Sequence, residues 1–149
     1  MISIPRGFTR GANGGSVAAI AAEAAVDAAV VITMLPKGDV VRGPIFGADG
    51  VVETMSIDAL LIDMSTIYPS ETDKIRKDLA AKQIAIVDAP VGRTSVEVAM
   101  GTSLFMVGAE EDDSERARPI LECMGDTIID CGGPGTGSLM KIVNNLMKA

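Results

Sequence analysis

The chain has 149 residues, a net charge of -7, a 48% apolar composition with only 3% aromatics, and no histidine. That length gives one domain with a buried core, and the acidity argues against nucleic acid, whose phosphates need clustered Lys and Arg. The missing histidine removes Ser-His-Asp and Cys-His nucleophile pairs and most zinc sites, so acid–base chemistry falls to Lys, Asp, Glu, Tyr or Cys.

Residues 1–15 are Gly-rich and patternless and read as an irregular lead-in. Ser16 is placed to cap an Ala-rich helix running through Val26. Ala29 to Leu35, "AVVITML", is an apolar run stopped by Pro36 and reads as a buried parallel strand. Asp39 to Phe46 follows as a short helix, ended by the "GADG" turn. The pattern then repeats. "ALLIDM" (Ala59 to Met64) is a strand, and Pro69 to Lys82 is an amphipathic helix with Ser70 and Glu71 in its first turn. "IAIVDAPV" (Ile84 to Val91) and "SLFMVGA" (Ser103 to Ala109) are strands. Asp112 to Met124 is a helix that Pro119 is expected to kink. "TIIDCG" (Thr127 to Gly132) is a short strand, and a last helix starts near Thr136.

Strands alternating with helices predict an α/β fold: a Rossmann-like parallel sheet flanked by helices. Ligands of such sheets sit beyond the carboxyl ends of the strands. The loops to watch are "PKGD", "STIYPS", "GRTS" and "GPGTGS". Cys123 and Cys131 are too few for a secreted disulfide framework and read as buried thiols in a reducing compartment. No apolar run reaches the roughly 18 residues of a membrane span, and "MISIPRGFTR" lacks a signal peptide's apolar stretch. The expectation is a cytoplasmic protein without membrane or nucleic-acid partners.

"GGPGTGSLMK" resembles a phosphate loop only superficially. A P-loop lysine adjoins the glycine and a following Ser or Thr, whereas Lys141 lies four residues after Gly137, one helical turn inside. "GANGGS" likewise fails the G-x-G-x-x-G pattern. Lys141, Asn144 and Asn145 stand at i, i+3 and i+4 and share one helical face. A solvated polar stripe is the plain alternative. Against it, Ile142, Val143, Leu146 and Met147 surround the trio, and a polar group among buried positions is expected to be hydrogen-bonded. Amides hold a lysine without a carboxylate's tight ion pair, which suits an ammonium that donates a proton. In "DAPVGRTS", Gly92 permits close backbone approach, Arg93 offers a planar fork suited to anions, and Thr94 and Ser95 add hydroxyls. An ordinary polar loop remains the alternative there, as a simple helix cap does for Ser65 and Thr66.

Taken in order, "VVITMLPKGDVVRGPIFGADGV", "LLIDMSTIYPSET", "VDAPVGRTSVEVAMGTSLFMVGA" and "GGPGTGSLMKIVNN" resemble segments of the β-hydroxyacid dehydrogenase family, the 3-hydroxyisobutyrate dehydrogenase-like enzymes. The resemblance spans about Ala21 to Met147. It implies hydride transfer with NAD or NADP between a small 3-hydroxy acid and its aldehyde. By position, Lys141 would be the general acid/base. Asn145, with Asn144, would orient substrate and lysine. Met34, Leu35, Pro36 and Thr66 would line the cofactor. Gly92, Arg93 and Thr94 would hold the anionic end of the substrate. The common family form carries Ser-Gly-Gly at those three positions. "GRTS" resembles the 3-sulfolactaldehyde reductase branch, although Lys148 stands where that branch is expected to carry a small hydroxyl residue.

The resemblance also implies a chain truncated at both ends. Residues 16–135 would be a partial dinucleotide-binding domain, and 136–149 the start of a helix leading to a helical domain. The family's opening G-x-G-x-x-G turn is not found, so weak cofactor affinity and little activity are expected of these 149 residues alone, with homo-oligomers expected of the full-length protein. 3-Hydroxyisobutyrate and tartronate semialdehyde remain alternative substrate readings. A noncatalytic nucleotide-binding or assembly module remains the alternative of another class.

Overall fold

The computed structural model describes residues 15–36, 38–93 and 95–147. The lead-in, apart from Gly15, therefore lies outside the described residues, as do Lys37, Thr94 and Lys148.

Among the described residues, twelve regular elements and one 3-10 turn follow one another: α1 (Ala21–Ala24), β1 (Val30–Thr33), α2 (Gly38–Phe46), the turn Val51–Glu53, β2 (Leu60–Asp63), α3 (Pro69–Ala80), β3 (Ala85–Asp88), β4 (Val91–Gly92), α4 (Ser95–Ala99), β5 (Ser103–Gly108), α5 (Glu111–Glu122), β6 (Gly125–Gly132) and α6 (Thr136–Leu146). The strands build one six-stranded sheet. β1, β2 and β3 are parallel, with Thr33, Asp63 and Asp88 level across the three. β5 enters antiparallel, pairing Gly108 with Asp88 and then Phe105 and Leu104 with Val91 and Gly92. β6 runs parallel to β5.

The sheet is thus mostly parallel, with a reversal the sequence pattern did not predict. Its cause is the short return between β4 and β5, which holds only the five-residue α4. A parallel crossover needs about a dozen residues or more, usually with a longer helix, whereas a short link favours an antiparallel partner. The expected strand Ile84–Val91 also divides, because Pro90 has no N–H for the ladder and the chain changes partner there, from β2 to β5.

Each face of the sheet has its own core. Leu61 and Ile86 pack with Val41, Ile45, Ile75 and Leu79 beneath α2 and α3. Leu60, Ile62, Val87, Phe105 and Val107 pack with Ala117 and Leu121 of α5. The parity of each strand sorts its side chains between the two. Every fully buried Leu or Ile here contributes about 1.5–3 kcal/mol. α3 starts where expected, with Pro69 at its first turn and the Glu71 side chain accepting from the Tyr68 N–H at 3.2 Å.

Three expectations are corrected. The Ala-rich helix forms only at Ala21–Ala24, and Ser16 does not cap it, since Ile20 holds that position. Short helices need a packed face rather than propensity alone, and the left-handed Asp27 ends this one early. The first strand is not a buried one: β1 stands at the sheet's edge, with Val30 and Val31 half-buried and Ile32 exposed. The cysteines are unpaired but not buried: Cys123 is exposed at the end of α5, and Cys131 is half-buried.

α6 meets the sheet through Gly137. A Cβ there would run into the carbonyl oxygens of Met106 and Asp88. Gly137→Ala should therefore destabilise the chain by about 1–3 kcal/mol, the usual cost of overpacking. Urea unfolding followed by far-ultraviolet circular dichroism measures it.

Candidate functional site

β1 and β2 both end in apolar-to-polar transitions at the same level. Thr33 Oγ1 donates to Asp63 Oδ1 at 2.9 Å, and the Ser65 N–H donates to the same oxygen at 3.1 Å. Ser65 Oγ then accepts from the Leu35 N–H at 2.9 Å. This chain of bonds ties the loop after β1 to the loop after β2. Between them opens a cleft of about 360 Å³, lined by Met34, Leu35, Pro36, Met64, Ser65, Thr66 and Val91. All four residues expected at the cofactor are in it. Its lining is mainly apolar, with hydroxyls from the buried Ser65 and the exposed Thr66, a lining suited to a flat heteroaromatic ring with a polar substituent.

Asp88 makes the second junction. Its Oδ1 accepts from the Gly135 N–H at 2.6 Å and its Oδ2 from the Ser138 N–H at 2.7 Å. Both donors belong to the start of α6, where unsatisfied N–H groups and the helix dipole favour a negative charge. Gly135 takes φ 89°, which brings its N–H onto the carboxylate. The Ser138 hydroxyl is 3.2 Å from that of Thr72 and links α6 to α3, with both side chains buried.

α6 therefore stands on the carboxyl end of β3, and the same chain runs on through Val91 of the cleft to Gly92 and Arg93. Lys141 and Asn144 are half-buried and Asn145 is exposed. The surroundings of this trio differ from the sequence reading. Val143, Leu146 and Met147 are exposed, the last two at 72% and 84%. The helix packs through small residues, Gly137 and Ser138, so its apolar stripe of Leu139, Met140, Val143 and Leu146 faces outward.

Gly92 is buried against Leu104. Arg93 extends to β6, where Nη1 reaches Asp126 at 2.7 Å and Nη2 reaches Thr127 at 2.9 Å. Thr94 lies outside the described residues. Sequence reasoning missed Asp63, Asp88, Thr72 and Ser138. The signal for the two aspartates was present: "LLID" and "AIVD" each end an apolar strand in a carboxylate.

Burial pushes the carboxyls of Asp63 and Asp88 above the ordinary 3.8, against the pull of their hydrogen bonds. A raised folded pKa means that the native state holds the proton more tightly than the unfolded chain does. The resulting contribution to stability is complete below 3.8 and is lost as pH rises through the folded pKa. The stability of the native chain minus that of Asp63→Asn should therefore fall as pH rises from about 3 to about 7. Urea titrations of both proteins across that range test the sign.

The comparisons agree with this geometry. Residues 8–133 match the family described as the NAD binding domain of 6-phosphogluconate dehydrogenase. The chain is 51% identical over 135 residues to 3-sulfolactaldehyde reductase of Escherichia coli strain K12, covering 91% of this chain and 45% of that protein. It is 38% identical over 136 residues to mouse mitochondrial 3-hydroxyisobutyrate dehydrogenase, covering 91% of this chain and 41% of that one. A solved structure of Mycobacterium tuberculosis 3-hydroxyisobutyrate dehydrogenase with L-serine superposes with a TM-score of 0.85 at 38% identity, over 90% of this chain and 45% of its own. The chain thus spans a little under half the length of these relatives. Among the described residues no helix is long and apolar enough to cross a membrane. With most of its length matched and its sheet superposed, this chain belongs to the family of the NAD binding domain of 6-phosphogluconate dehydrogenase.

Proposed function

We propose that this chain belongs to an NAD(P)-dependent oxidoreductase that interconverts a small 3-hydroxy acid and its aldehyde, with 3-sulfolactaldehyde as the aldehyde. The observation that carries the reading is the gathering of Met34, Leu35, Pro36 and Thr66 into one cleft at the carboxyl ends of β1 and β2. The 51% identity to a 3-sulfolactaldehyde reductase supports the choice of substrate.

The bound dinucleotide supplies the hydride. Met34, Leu35 and Pro36 form the apolar wall against its nicotinamide, with the Thr66 hydroxyl at the rim. Lys141 gives its ammonium proton to the carbonyl oxygen in reduction and takes it back in oxidation. Its charge also stabilises the alkoxide that develops there. Asn144 and Asn145, one turn further along α6, orient substrate and lysine. Gly92, Arg93 and Thr94 receive the anionic head. A guanidinium donates to two oxygens at once, which suits a sulfonate.

The first test is a titration of the chain with NADH, followed by the fluorescence of the reduced nicotinamide; the sequence has no tryptophan to overlap it. Weak but saturable binding is expected, and no binding up to about millimolar concentration, a free energy of about -4 kcal/mol, would remove the cleft's assigned role. In the longer enzyme, Lys141→Ala should lower aldehyde reduction by a factor of about 100 or more while NADH binding persists. A pure binding module would show no aldehyde reduction in either form and would keep its nucleotide affinity almost intact. Arg93→Gly should weaken the reaction of a sulfonate aldehyde by more than about 1.5 kcal/mol in kcat/KM. Equal losses with carboxylate and sulfonate aldehydes would remove the substrate assignment.

A further inference from the structure

Two backbone irregularities converge on one side chain. Arg93 has φ 70°, in the left-handed region that non-glycine residues rarely enter. Across from it β6 carries a bulge: Ser103 pairs with Gly125 and Leu104 with Thr127, so Asp126 is the extra residue. A bulge interrupts strand alternation and re-aims side chains. Here Asp126 and the adjacent Thr127 both reach the guanidinium, at 2.7 Å and 2.9 Å. Arg93 Nη1 also donates to the carbonyl oxygen of Thr102 at the start of β5. The Thr127 hydroxyl donates to Asp126 at 2.7 Å and closes the ring of contacts.

A simple surface ion pair requires neither a left-handed arginine nor a bulge, and two flexible side chains would satisfy it. The three contacts instead fix the plane of the guanidinium and engage three of its five N–H groups. An arginine held in this way loses less freedom when it binds an anion.

We propose that Asp126 is a positioning residue: with Thr127 and the Thr102 carbonyl it fixes Arg93 so that the other two N–H groups make a ready fork for the oxygens of the substrate's anionic head. This rests on the reading of Arg93 as the residue that meets that head. The pairing has an electrostatic cost, since the Asp126 charge offsets some of the guanidinium's. The acceptor geometry is what matters, so an uncharged acceptor in its place should serve.

The test is a titration of the nitrogen-15-labelled 149-residue chain with methanesulfonate, read at the Arg93 Nε–H resonance and assigned by its loss in Arg93→Lys. Asp126→Ala should weaken methanesulfonate by about fivefold or more, and Asp126→Asn, which keeps an acceptor oxygen, should bring it back to within about twofold. The Asp126 side chain is half exposed, so both variants should keep the fold. Affinity unchanged in Asp126→Ala, loss in both variants, or no shift of the Arg93 signal in the native chain would each overturn the proposal. Methanesulfonate binding at Arg93 without NADH binding would sink only the cofactor role assigned to the cleft. NADH binding with an Arg93 signal that ignores methanesulfonate would sink this inference alone.

Discussion

The site is organised around one buried carboxylate at a helix start. Asp88 closes β3, is nearly inaccessible, and accepts two N–H bonds from the first residues of α6. A glycine-rich turn running into a helix is a ready anion site. In this fold the anion is the protein's own. That explains physically why "GGPGTGS" looks like a phosphate loop and lacks its adjacent lysine: the amides that would cradle a phosphate are already engaged. The contact fixes where α6 begins, and hence the turn on which Lys141 stands. Gly137, pressed on Met106 and Asp88, and the Thr72–Ser138 hydroxyl pair then set the helix against the sheet and α3.

On the neighbouring strand, Asp63 has the equivalent role. Its bonds to Thr33 and Ser65 draw two loops into a single wall, and Ser65 passes the tie on to Leu35. Burial raises the pKa of both carboxyls, and what opposes it is a set of oriented hydrogen-bond donors rather than a cation. Such networks specify a unique arrangement only when fully satisfied. Among the described residues no buried side-chain polar atom lacks a partner.

The reversal of β5 places the remaining candidates. Because β5 slides past the end of β3, its last residue, Gly108, lies beside Asp88, and the turn after β6 arrives at the same place. A purely parallel sheet would put that turn and the start of α6 elsewhere. The same offset carries β4 beyond the parallel strands and brings Arg93 to the first residues of β6.

The sequence by itself determined the alternation of strands and helices and the spacing that puts Lys141, Asn144 and Asn145 on one face. These follow from local periodicity and stereochemistry, which a linear pattern records. The family resemblance, not the pattern itself, named Met34, Leu35, Pro36 and Thr66, which line the cleft. Only the tertiary structure decided the direction of β5, the outward turn of the apolar stripe on α6, the bulge that aims Asp126, and the pairing of Asp88 with amides 47 and 50 residues away. None of these leaves a local signature. Each arises where segments distant in the chain satisfy one another's hydrogen bonds and packing, and that choice is made by the folded whole.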